Sequence, residues 1–452
     1  MKIIIAGCGK IGVAITKSML KEGHDVTVID SDRDRVNEMS NIFEVMGVSG
    51  NAADSDVLAE ADVPGTDLFI AVTASDELNM LSCLFARRLG ARHTIARVRK
   101  TDYNDRSLDF IKQQLELSMT INPEQLAAKE LFNLLRLPSA VRVETFSNRN
   151  FEMVVLPLKA DTPLNGMRLS EMRARYKGRY LICTVQRGDA IFIPDGNFEL
   201  QSGDQIGLAA APAEIQKILK QLNLTRKQAR SLMILGGSRT AYYLARRLSF
   251  AGNYVKIIEQ DRARAEEIAE LLPSCAVISA DGAEQELLLE EGIRSVDAFI
   301  ALTGMDEENI LLAAFASSVN VKKVIAKVNR TELAGLAKSL GLDTIVDPKQ
   351  SVADRVTQYA RALSNSRGSK IETLYNIADG KAEVLEFAAA REFPGTGVPL
   401  KNLDLKRNLL VAGIVRNRRT MIPTGDDAIQ PADKVIVVTA GRQLNDLSDI
   451  LK

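Results

Sequence analysis

The chain has 452 residues, 46% of them hydrophobic, with no tryptophan and with 58 basic against 58 acidic side chains, so its formal net charge is zero. At roughly 100–200 residues per domain, this length predicts two to four domains, each large enough to bury a core. The balanced charge leaves no net field to hold a phosphate backbone or an anionic bilayer, which disfavours binding to nucleic acid or to a lipid surface.

The cysteine and hydropathy patterns are typical of a cytoplasmic protein. The four cysteines lie far apart and form no C-x-x-C pair, which predicts reduced thiols rather than a disulfide framework or a zinc site. Lys10 interrupts the apolar opening MKIIIAGCGKIGVAI, and a strand, a turn and a helix explain this segment better than a signal peptide does. No segment approaches the roughly 18 apolar residues that span a bilayer. We therefore expect a soluble, cytoplasmic chain without a metal site.

An internal duplication organises the sequence. Residues 68–81, LFIAVTASDELNML, align with residues 298–311, AFIALTGMDEENIL, and eight of the 14 positions are identical. Gly7 in KIIIAGCGKIG aligns with Gly236 in SLMILGGSRTA. Because both matches have an offset of about 230 residues, the repeat unit is half the chain, which predicts a duplication rather than a solenoid.

Each half begins with about 120 residues in which short apolar runs alternate with amphipathic helical patterns. In the first half, the predicted strands are residues 2–6, 25–30, 43–48, 67–72, 93–98 and 118–121. The predicted helices are residues 10–21, 32–40, 54–61, 75–89, 104–116 and 123–136. Strands that are apolar on both faces and alternate with helices predict an α/β fold with a Rossmann-like, doubly wound parallel sheet.

A smaller lobe follows each Rossmann-like lobe. Pro138 ends the last helix, and from about residue 141 short alternating strands with turn signals predict a small α+β lobe that ends in a helix near residues 212–222. The second half repeats this order, with its small lobe from about residue 368. The predicted domains are residues 1–140 (first Rossmann-like lobe), 141–227 (first small lobe), 228–366 (second Rossmann-like lobe) and 367–452 (second small lobe).

The glycine loop GCGKIG, residues 7–12, has the pattern G-x-G-x-x-G between a predicted strand and helix. Gly7 would permit the tight turn, Gly9 the approach of a pyrophosphate, and Gly12 close helix–strand packing. The helix N-terminus would favour the anion. Asp30 ends the next strand, where its carboxylate would accept hydrogen bonds from both ribose hydroxyls and repel a 2′-phosphate. The loop predicts NAD(H) or an adenine nucleotide rather than NADP, and a glycine turn without a ligand is the alternative.

The corresponding loop in the second half, GGSRTA at residues 236–241, departs from this pattern. Ser238 and Ala241 replace the second and third glycines, although both are small enough for close backbone approach. Glu259 keeps the acidic position at the end of the next strand. These residues predict a second nucleotide site, with a structural relic of the duplication as the alternative.

Two further positions fall at the carboxyl ends of predicted strands, where ligands of open α/β sheets bind. Thr73 and Ala74 end the fourth strand, and Thr73 with Asp76 matches a capping box, so we expect Thr73 to begin the next helix and its backbone to contact the ligand. Arg97 and its counterpart Lys327 end the fifth strand. A cation there would reach a phosphate or pair with a loop carboxylate.

The groups that a nicotinamide dehydrogenase needs for proton transfer are not evident. The chain has two histidines, His24 in a helix-to-strand turn and His93 at the start of the fifth strand, both at the edge of the sheet opposite the predicted ligand. Neither is repeated in the second half. We therefore expect structural or solvated roles for both, no catalytic residue, and a site that holds a nucleotide without reacting it.

The motifs GCGKIG, VTVIDSDRDR, GNAADSDVL and AVTASDELNML, in this order, resemble the regulator-of-K⁺-conductance (RCK, or KTN) family. The resemblance covers nearly the whole chain as two tandem RCK N-lobes, each followed by an RCK C-lobe. The C-lobe match, PLNGMRLSEM at residues 163–172, is weaker than the match of the N-lobes, and GGSRTA departs from the family's glycine pattern.

The tandem arrangement is similar to that of the regulatory subunits of bacterial Trk potassium uptake systems. The resemblance implies a homotetramer whose eight RCK domains form a ring beneath a separate integral-membrane Trk potassium channel subunit, so the chain would be peripheral at the inner face of the membrane. It implies binding of NAD(H), and also of ATP or ADP, which changes ring shape and channel opening. The implied nucleotide-binding residues of the first half are Gly7, Cys8, Gly9, Lys10, Ile11, Asp30, Thr73, Ala74 and Arg97. Those of the second half are Gly236, Gly237, Ser238, Arg239, Thr240, Glu259, Thr303 and Lys327.

Several alternatives stay open on the sequence. An NAD-dependent oxidoreductase is the rival from another class, and an RCK regulator of a different cation transporter, such as a proton antiporter, is a third reading. The residues do not distinguish NAD(H) from ATP or ADP, nor do they decide whether the second site is occupied. The direction of gating, the surface that contacts the channel and any ligand of the small lobes also stay open.

Overall fold

The computed structural model describes residues 1–100, 105–224, 228–342, 345–364, 368–377 and 380–452. The first residue of the predicted helix 104–116 and the boundary residues 227, 366 and 367 lie outside this described part. The chain forms two compact units, of which the first contains residues 1–127 and 347–360 and the second contains residues 128–346 and 361–452. Within the described ranges, no helix is both long and apolar enough to cross a membrane.

The first unit is built on a six-stranded parallel sheet with the order β3-β2-β1-β4-β5-β6. This is the Rossmann order, and it confirms the predicted fold class. The elements are β1 (Lys2–Ala6), α1 (Lys10–Lys21), β2 (Asp25–Asp30), α2 (Arg33–Phe43), β3 (Met46–Ser49), α3 (Ser55–Glu60), β4 (Leu68–Ala71), α4 (Asp76–Leu89), β5 (His93–Arg97), α5 (Asp105–Gln114), β6 (Met119–Ile121) and α6 (Pro123–Arg136), which continues into the second unit.

Hydrophobic burial on both faces explains why these strands are parallel and central. The side chains from Ile3 to Ala6 are completely buried in β1, as are those from Leu68 to Ala71 in β4. The predicted third strand, residues 43–48, is displaced, because α2 continues to Phe43. Glu44 then ends the helix in the left-handed conformation, with φ +54°, so that β3 begins only at Met46.

The second unit contains a small antiparallel lobe, a second parallel sheet and a second small lobe. The first small lobe comprises β7 (Arg142–Phe146), β8 (Phe151–Pro157), α7 (Leu169–Arg175), β9 (Tyr180–Arg187), β10 (Ala190–Phe192), β11 (Gln205–Ala210) and α8 (Pro212–Gln221). The second Rossmann-like lobe comprises β12 (Ser231–Leu235), α9 (Arg239–Phe250), β13 (Tyr254–Glu259), α10 (Arg262–Leu271), β14 (Ala276–Ser279), α11 (Gln285–Glu290), β15 (Ala298–Ala301), α12 (Asp306–Ser318), β16 (Lys323–Lys327), α13 (Thr331–Ser339), β17 (Ile345–Val346) and α14 (Pro348–Ser364). The second small lobe comprises β18 (Ile371–Ile377), β19 (Ala382–Ala388), β20 (Leu409–Arg416), β21 (Arg419–Met421) and β22 (Lys434–Ala440).

The sheet orders of the second half are the same as those of the first, with the second small sheet read from its other edge. The second parallel sheet has the order β14-β13-β12-β15-β16-β17, and the small sheets have the orders β10-β9-β11-β8-β7 and β18-β19-β22-β20-β21. The prediction that the second small lobe repeats the first fails at its end. Where the first lobe ends in α8, the second ends in a short 3-10 turn, Leu447–Ile450, which the Asp446 carboxylate caps by accepting from the Ser448 amide at 2.7 Å.

The two small lobes share one hydrophobic core. The ring of Phe151 lies so close to Gly413 that a Cβ at Gly413 would collide with it. The Tyr375 hydroxyl donates to the Thr145 carbonyl at 3.2 Å. The buried side chains of this core come from both lobes and are Phe146, Phe151, Met153, Cys183, Ala209, Ile377, Ala382, Val384, Ala412, Val415, Ile436 and Val438. Each small sheet therefore buries one of its faces against the other copy.

Most of α14 belongs to the first unit, although it follows the second Rossmann-like sheet in the chain. Its Thr357 hydroxyl lies 2.7 Å from that of Ser18 in α1, and its Tyr359 hydroxyl lies 3.3 Å from Nδ1 of His93. This contact gives His93 a structural partner at the start of β5. The hydrophobic pattern of α14 does not indicate on which lobe the helix packs.

Candidate nucleotide-binding sites

The first glycine loop joins β1 to α1, and two of its three glycines, Gly7 and Gly12, are required for steric reasons. Gly7 has a φ of +112°, and its amide donates to the Ile29 carbonyl at 2.7 Å. A Cβ at Gly7 would lie 2.8 Å from the Thr73 amide nitrogen, and a Cβ at Gly12 would collide with the Gly7 carbonyl oxygen. The turn, the neighbouring strand end and the helix thus approach one another as the sequence predicts.

The N-terminus of α1 is open. Gly9 is the N-cap residue, it makes no side-chain cap, and a Cβ placed on it would meet no atom within 4 Å. Lys10 is exposed and Ile11 is half-buried. A helix N-terminus carries amide groups without intrahelical acceptors and a partial positive charge, so this position suits an anion such as a phosphate.

Asp30 lies beside this N-terminus at the end of β2. Its Oδ2 accepts a hydrogen bond from the Cys8 amide at 2.6 Å, and its Oδ1 accepts one from the Asp32 amide at 3.0 Å. Each carboxylate oxygen has a second lone pair, so the oriented group retains acceptor capacity for ligand hydroxyls. The Cys8 thiol is buried, and this burial, with the Asp30 carboxylate nearby, raises its pKa to about 12. Cys8 therefore contributes its backbone amide rather than a reactive thiolate.

The capping-box prediction at Thr73 is wrong. Ser75 is the N-cap residue of α4, and its hydroxyl accepts from the Leu78 amide at 3.1 Å. Both the amide and the hydroxyl of Thr73 instead donate to Oδ1 of Asn79, each at 2.7 Å. Thr73 bonds to Asn79 rather than to the first turn of α4, because the Asn79 side chain is completely buried and needs polar partners there.

Arg97 braces the same loop. Its side chain is buried, and its guanidinium donates to the Thr73 carbonyl, while the Arg97 carbonyl accepts from Nδ2 of Asn79 at 3.0 Å. The carbonyl of Ala74 accepts from the Arg99 guanidinium at 2.6 Å. Arg97 thus has a structural role at the carboxyl edge of the sheet, and its contact with a phosphate stays a prediction.

The second glycine loop repeats the turn and the acidic position. Gly236 has a φ of +90°, and its amide donates to the Ile258 carbonyl at 2.8 Å. The Glu259 carboxylate accepts from the Gly237 amide through one oxygen and from the Asp261 amide, at 2.8 Å, through the other. This pattern is the same as that of Asp30, so the extra methylene of glutamate leaves the arrangement unchanged.

The second loop differs from the first in how its helix begins. Ser238 is the N-cap residue of α9, and its hydroxyl accepts from the Ala241 amide at 3.4 Å. The Arg264 guanidinium donates to the Gly237 carbonyl at 2.8 Å, and a Cβ at Gly237 would collide with Ile268. The Ser238 side chain therefore caps the N-terminus of α9. The second loop is also more closely packed, because side chains of α10 contact Gly237. Arg239 is exposed and Thr240 is buried.

The hydrogen bonds that hold Thr73 are repeated in the second half, where Asn309 takes the place of Asn79. We call each of these asparagine-centred sets of hydrogen bonds an asparagine bracket. The amide and the hydroxyl of Thr303 both donate to Oδ1 of Asn309 at 2.9 Å, and Nδ2 of Asn309 donates to the Lys327 carbonyl at 3.0 Å. The Lys327 ammonium lies 3.5 Å from the Leu302 carbonyl.

Asn79 and Asn309 form part of the two sites, although neither is among the residues predicted from the sequence. The repeat alignment could have indicated them, because asparagine occupies the same position in the aligned segments 68–81 and 298–311. In both copies this polar residue lies on the buried face of a helix. Asp76 and Asp306 are likewise buried, and they accept from the backbone amides that follow β5 and β16.

Each set of predicted residues therefore meets at the carboxyl edge of its own parallel sheet. The glycine loop, the acidic residue and the threonine loop lie side by side in both copies. Over the residues that the structure describes, no group of three or more histidine, cysteine, aspartate or glutamate side chains could hold a metal ion. The arrangement provides hydrogen-bond acceptors for a sugar and helix amides for a phosphate.

Comparison with known proteins shows which protein family this chain resembles. The TrkA-N domain model matches residues 3–122 and 232–348, and the TrkA-C domain model matches residues 153–223 and 396–452. The Trk system potassium uptake protein TrkA homolog of Archaeoglobus fulgidus is 30% identical over 453 residues, covering 100% of both chains. The Trk system potassium uptake protein TrkA of Vibrio alginolyticus is 29% identical, over 98% of this chain and 96% of its own.

A solved structure of the GsuK channel bound to NAD has the same fold, with a TM-score of 0.62 at 17% identity over 97% of this chain and 77% of that one. The family models match in the order TrkA-N, TrkA-C, TrkA-N, TrkA-C, which is the order of the four lobes described above. They cover most of the chain, and the chain therefore belongs to the TrkA family.

Proposed function

We propose that this protein is a nucleotide-sensing regulatory subunit of a potassium uptake channel or transporter. Its family membership supports this, since full-length relatives carry the name Trk system potassium uptake protein. The ligand we propose is NAD(H), with ATP or ADP as alternatives that share the adenine ribose and the phosphates. An RCK regulator of a different cation transporter would have the same nucleotide chemistry, and the name of the relatives favours potassium uptake.

The observation that carries the proposal is the pairing of Asp30 with the open N-terminus of α1. The Cys8 amide links the two at 2.6 Å from the Asp30 carboxylate. A ribose that donates both hydroxyls to Asp30 would direct its phosphates toward Gly9, where no side chain intrudes. The negative charge of Asp30 would repel a 2′-phosphate, which favours NAD(H) over NADP. In this arrangement Gly7 to Ile11, Thr73 and Ala74 line the phosphate path, and Arg97 holds the loop beside it.

We propose a second, weaker nucleotide site in the second half. Glu259 would accept the ribose hydroxyls, and Gly236 to Thr240 with Thr303 and Lys327 would surround the phosphates. The Ser238 hydroxyl already accepts from an amide of the first turn of α9, so a phosphate must compete with it. This competition supports lower affinity than in the first half.

We propose that the protein senses the nucleotide without reacting it. His93 lies at the start of β5, at the edge of the sheet opposite the glycine loop, and burial lowers its pKa. His24 lies in the turn before β2, at the same far edge. Neither is placed to transfer a proton at a nicotinamide. Absorbance at 340 nm during incubation with NADH and candidate carbonyl compounds distinguishes the two functions, because turnover would favour an oxidoreductase.

The regulatory step we propose is a shift between two shapes of a homotetrameric ring that contacts the membrane channel subunit. A ligand shifts such an equilibrium only by its differential affinity for the two states. A tenfold preference at each of four equivalent sites amounts to about 5.5 kcal/mol, which is roughly what moves a 1:99 equilibrium to 99:1. Modest selectivity at each site is therefore sufficient. The protein would act in the cytoplasm, at the inner face of the membrane, through this partner.

Titration calorimetry of the full chain with NADH and with ATP tests the proposal. We expect Asp30→Ala to weaken binding at the first site about 30-fold or more, because hydrogen bonds to a charged acceptor contribute about 1.5–3 kcal/mol each. Glu259→Ala is the matched variant and should affect only the second, weaker binding event. Potassium flux through the reconstituted channel subunit should lose its nucleotide response in Asp30→Ala.

Three outcomes would contradict parts of this proposal. Channel opening that responds normally to nucleotide in Asp30→Ala would exclude gating by the first site. Binding of a single nucleotide per chain, abolished by Asp30→Ala and unchanged by Glu259→Ala, would exclude the second site. Wild-type protein that binds neither NADH nor ATP would overturn the nucleotide-sensing function itself.

A further inference from the structure

Two helices lead along the chain from the parallel sheets to the small lobes, and we call α6 and α14 the connecting helices. In the first sheet Arg97 of β5 pairs with Ile121 of β6, and α6 begins two residues later at Pro123. In the second sheet Lys327 of β16 pairs with Val346 of β17, and α14 begins at the same distance. Each connecting helix therefore starts at the carboxyl edge of a sheet, next to a residue of the candidate nucleotide site.

The last turn of each connecting helix carries an arginine that pairs with a buried glutamate of the following small lobe. The Arg136 guanidinium of α6 donates to the Glu152 carboxylate of β8, whose side chain is 1% exposed. The Arg361 guanidinium of α14 donates to both carboxylate oxygens of Glu383 in β19, each at 2.8 Å, and both of these side chains are buried. Both ion pairs lie within the second unit.

The two ion pairs occupy equivalent positions of the duplication. Each arginine has the same position counted from the proline that begins its helix, and each glutamate is the second residue of its strand. The segments between the partners differ in length, since arginine and glutamate are 16 residues apart in the first half and 22 in the second. The two halves thus share the pair although they do not share the segment that separates its partners.

The glutamates lie on the strand face that is opposite the shared core of the small lobes. Their neighbours Phe151, Met153, Ala382 and Val384 are all buried members of that core. Successive side chains of a strand point to opposite faces, so each glutamate meets its connecting helix on one face while its neighbours pack against the other small lobe. A displacement of the helix end would therefore reach the shared core through a single strand.

Stability alone does not explain a charged pair at these positions. Burial raises the pKa of the Glu152 carboxyl although the Arg136 guanidinium lowers it, so the arginine does not fully offset the loss of water. Oε2 of Glu152 is buried and accepts no hydrogen bond from the residues that the structure describes. Apolar side chains of similar volume often stabilise such a position as well or better. A charged pair instead fixes one register between the helix end and the strand.

Other buried ion pairs of the small lobes close turns and offer a matched comparison. Arg187 of β9 donates to the two oxygens of Asp204 at 2.7 and 2.8 Å, and Asp204 also accepts from the Gln201 amide at 2.8 Å. Arg416 and Asp433 repeat this arrangement in the second small lobe. All partners of this kind of pair lie within one small lobe.

We propose that the Arg136–Glu152 and Arg361–Glu383 pairs are positioning residues of the regulatory step. They hold the end of each connecting helix on its small lobe, so that a shift at the nucleotide site moves the small lobe instead of being absorbed where helix and lobe meet. Rigid helices and ion-pair networks can carry such coupling between distant sites. This inference rests on the proposed function, because it takes the bound nucleotide as the signal.

Potassium flux through the reconstituted membrane subunit, measured with and without NADH on the full-length protein, tests the proposal. The double variant Arg136→Met with Glu152→Met replaces the pair by apolar side chains of similar volume, so the fold should tolerate it. We expect this variant to bind NADH within about twofold of the wild type, while the effect of NADH on flux falls about fivefold or more. The matched control, Arg187→Met with Asp204→Asn, should keep the wild-type effect.

Conservative variants separate positioning from packing. The first pair has one contact, from Nη2 of Arg136 to Oε1 of Glu152, which a lysine can also make, so Arg136→Lys should keep about half of the NADH effect or more. Arg361→Lys cannot reproduce the two parallel contacts with Glu383 and should lose most of the effect. An unchanged NADH effect in Arg361→Lys would overturn the proposal even where the double variant does not fold.

The remaining outcomes separate this coupling from the proposed function. A normal NADH effect on flux in the double variant would overturn the proposal. An equal loss in the Arg187→Met control would overturn it as well, because any buried pair would then serve. Weaker NADH binding by the double variant would also overturn it, since the pair would then shape the site itself. Wild-type protein that binds NADH without any change in flux would instead refute the proposed function, and the coupling with it.

Discussion

The two glycine loops of this chain hold the same parts but begin their helices differently. In both, a carboxylate at the end of the second strand accepts from a loop amide, and an asparagine brackets the threonine loop. In the first loop Gly9 leaves the helix N-terminus open, whereas in the second Ser238 caps it. We therefore expect unequal nucleotide affinity at the two loops, because a ligand would meet free amides at the first helix N-terminus and an amide already bonded to Ser238 at the second.

Among the variants that test the difference between the two loops, a substitution of the turn glycine, Gly7, should have the largest effect on nucleotide binding. Gly7→Ala places a Cβ 2.8 Å from the Thr73 amide nitrogen at a φ of +112°, so the loop cannot keep its shape. We expect nucleotide binding at the first site to fall more than 100-fold and the first unit to lose about 1–3 kcal/mol of stability. Calorimetry and thermal unfolding measure both.

Gly9→Ala is the control for that variant, because it has room for a Cβ and an ordinary φ of −73°. It should keep the stability of the wild type. Equal nucleotide affinity for Gly7→Ala and the wild type would show that the ligand does not use this loop.

The asparagine brackets should matter almost equally in the two copies. Asn79→Ala leaves the amide of Thr73 and the carbonyl of Arg97 without a shared partner, and Asn309→Ala does the same at Thr303 and Lys327. We expect each variant to lose about 1–3 kcal/mol, because these groups are part-buried or buried. Urea unfolding followed by a probe in each unit measures the loss, and a loss in only one copy would break the equivalence.

The buried thiol predicts a pH dependence that only the first loop has. Burial raises the pKa of Cys8 from 9.0 to about 12, so the unfolded chain releases this proton before the folded chain does. Stability from this group is complete below about pH 8 and declines as the pH rises toward 12, by about 1.4 kcal/mol at pH 10. Cys8→Ser should reduce the slope of the free energy of unfolding between pH 9 and 10, and an unchanged slope would refute this account.

The smallest effect should come from exchanging the two N-cap residues. Ser238→Gly removes the competing cap and should strengthen nucleotide binding at the second site about threefold. Gly9→Ser should weaken binding at the first site by a similar factor, since an N-cap hydrogen bond contributes about 0.5–1 kcal/mol. Titration of both variants with NADH checks the pair. Weaker binding by Ser238→Gly, or stronger binding by Gly9→Ser, would refute capping as the source of the difference.

Much of the fold was readable from the sequence. The duplication, the parallel sheet and the positions of Gly7, Asp30, Gly236 and Glu259 follow from hydrophobic period, glycine spacing and strand ends. These are local or periodic signals that a single chain displays directly. The capping box at Thr73 was wrong because two residues, Thr73 and Ser75, fit a helix start by their type, and only packing decided between them.

Two Rossmann-like lobes, two small lobes and a carboxylate beside each glycine loop can all be predicted from the amino-acid sequence. Which of these parts pack together becomes clear only in the folded chain. The small lobes share one core, and residues 347–360 belong to the first unit although they follow the second sheet. The physical reason is that an amphipathic helix or a half-buried sheet records that one of its faces is apolar, but not which other apolar face will cover it.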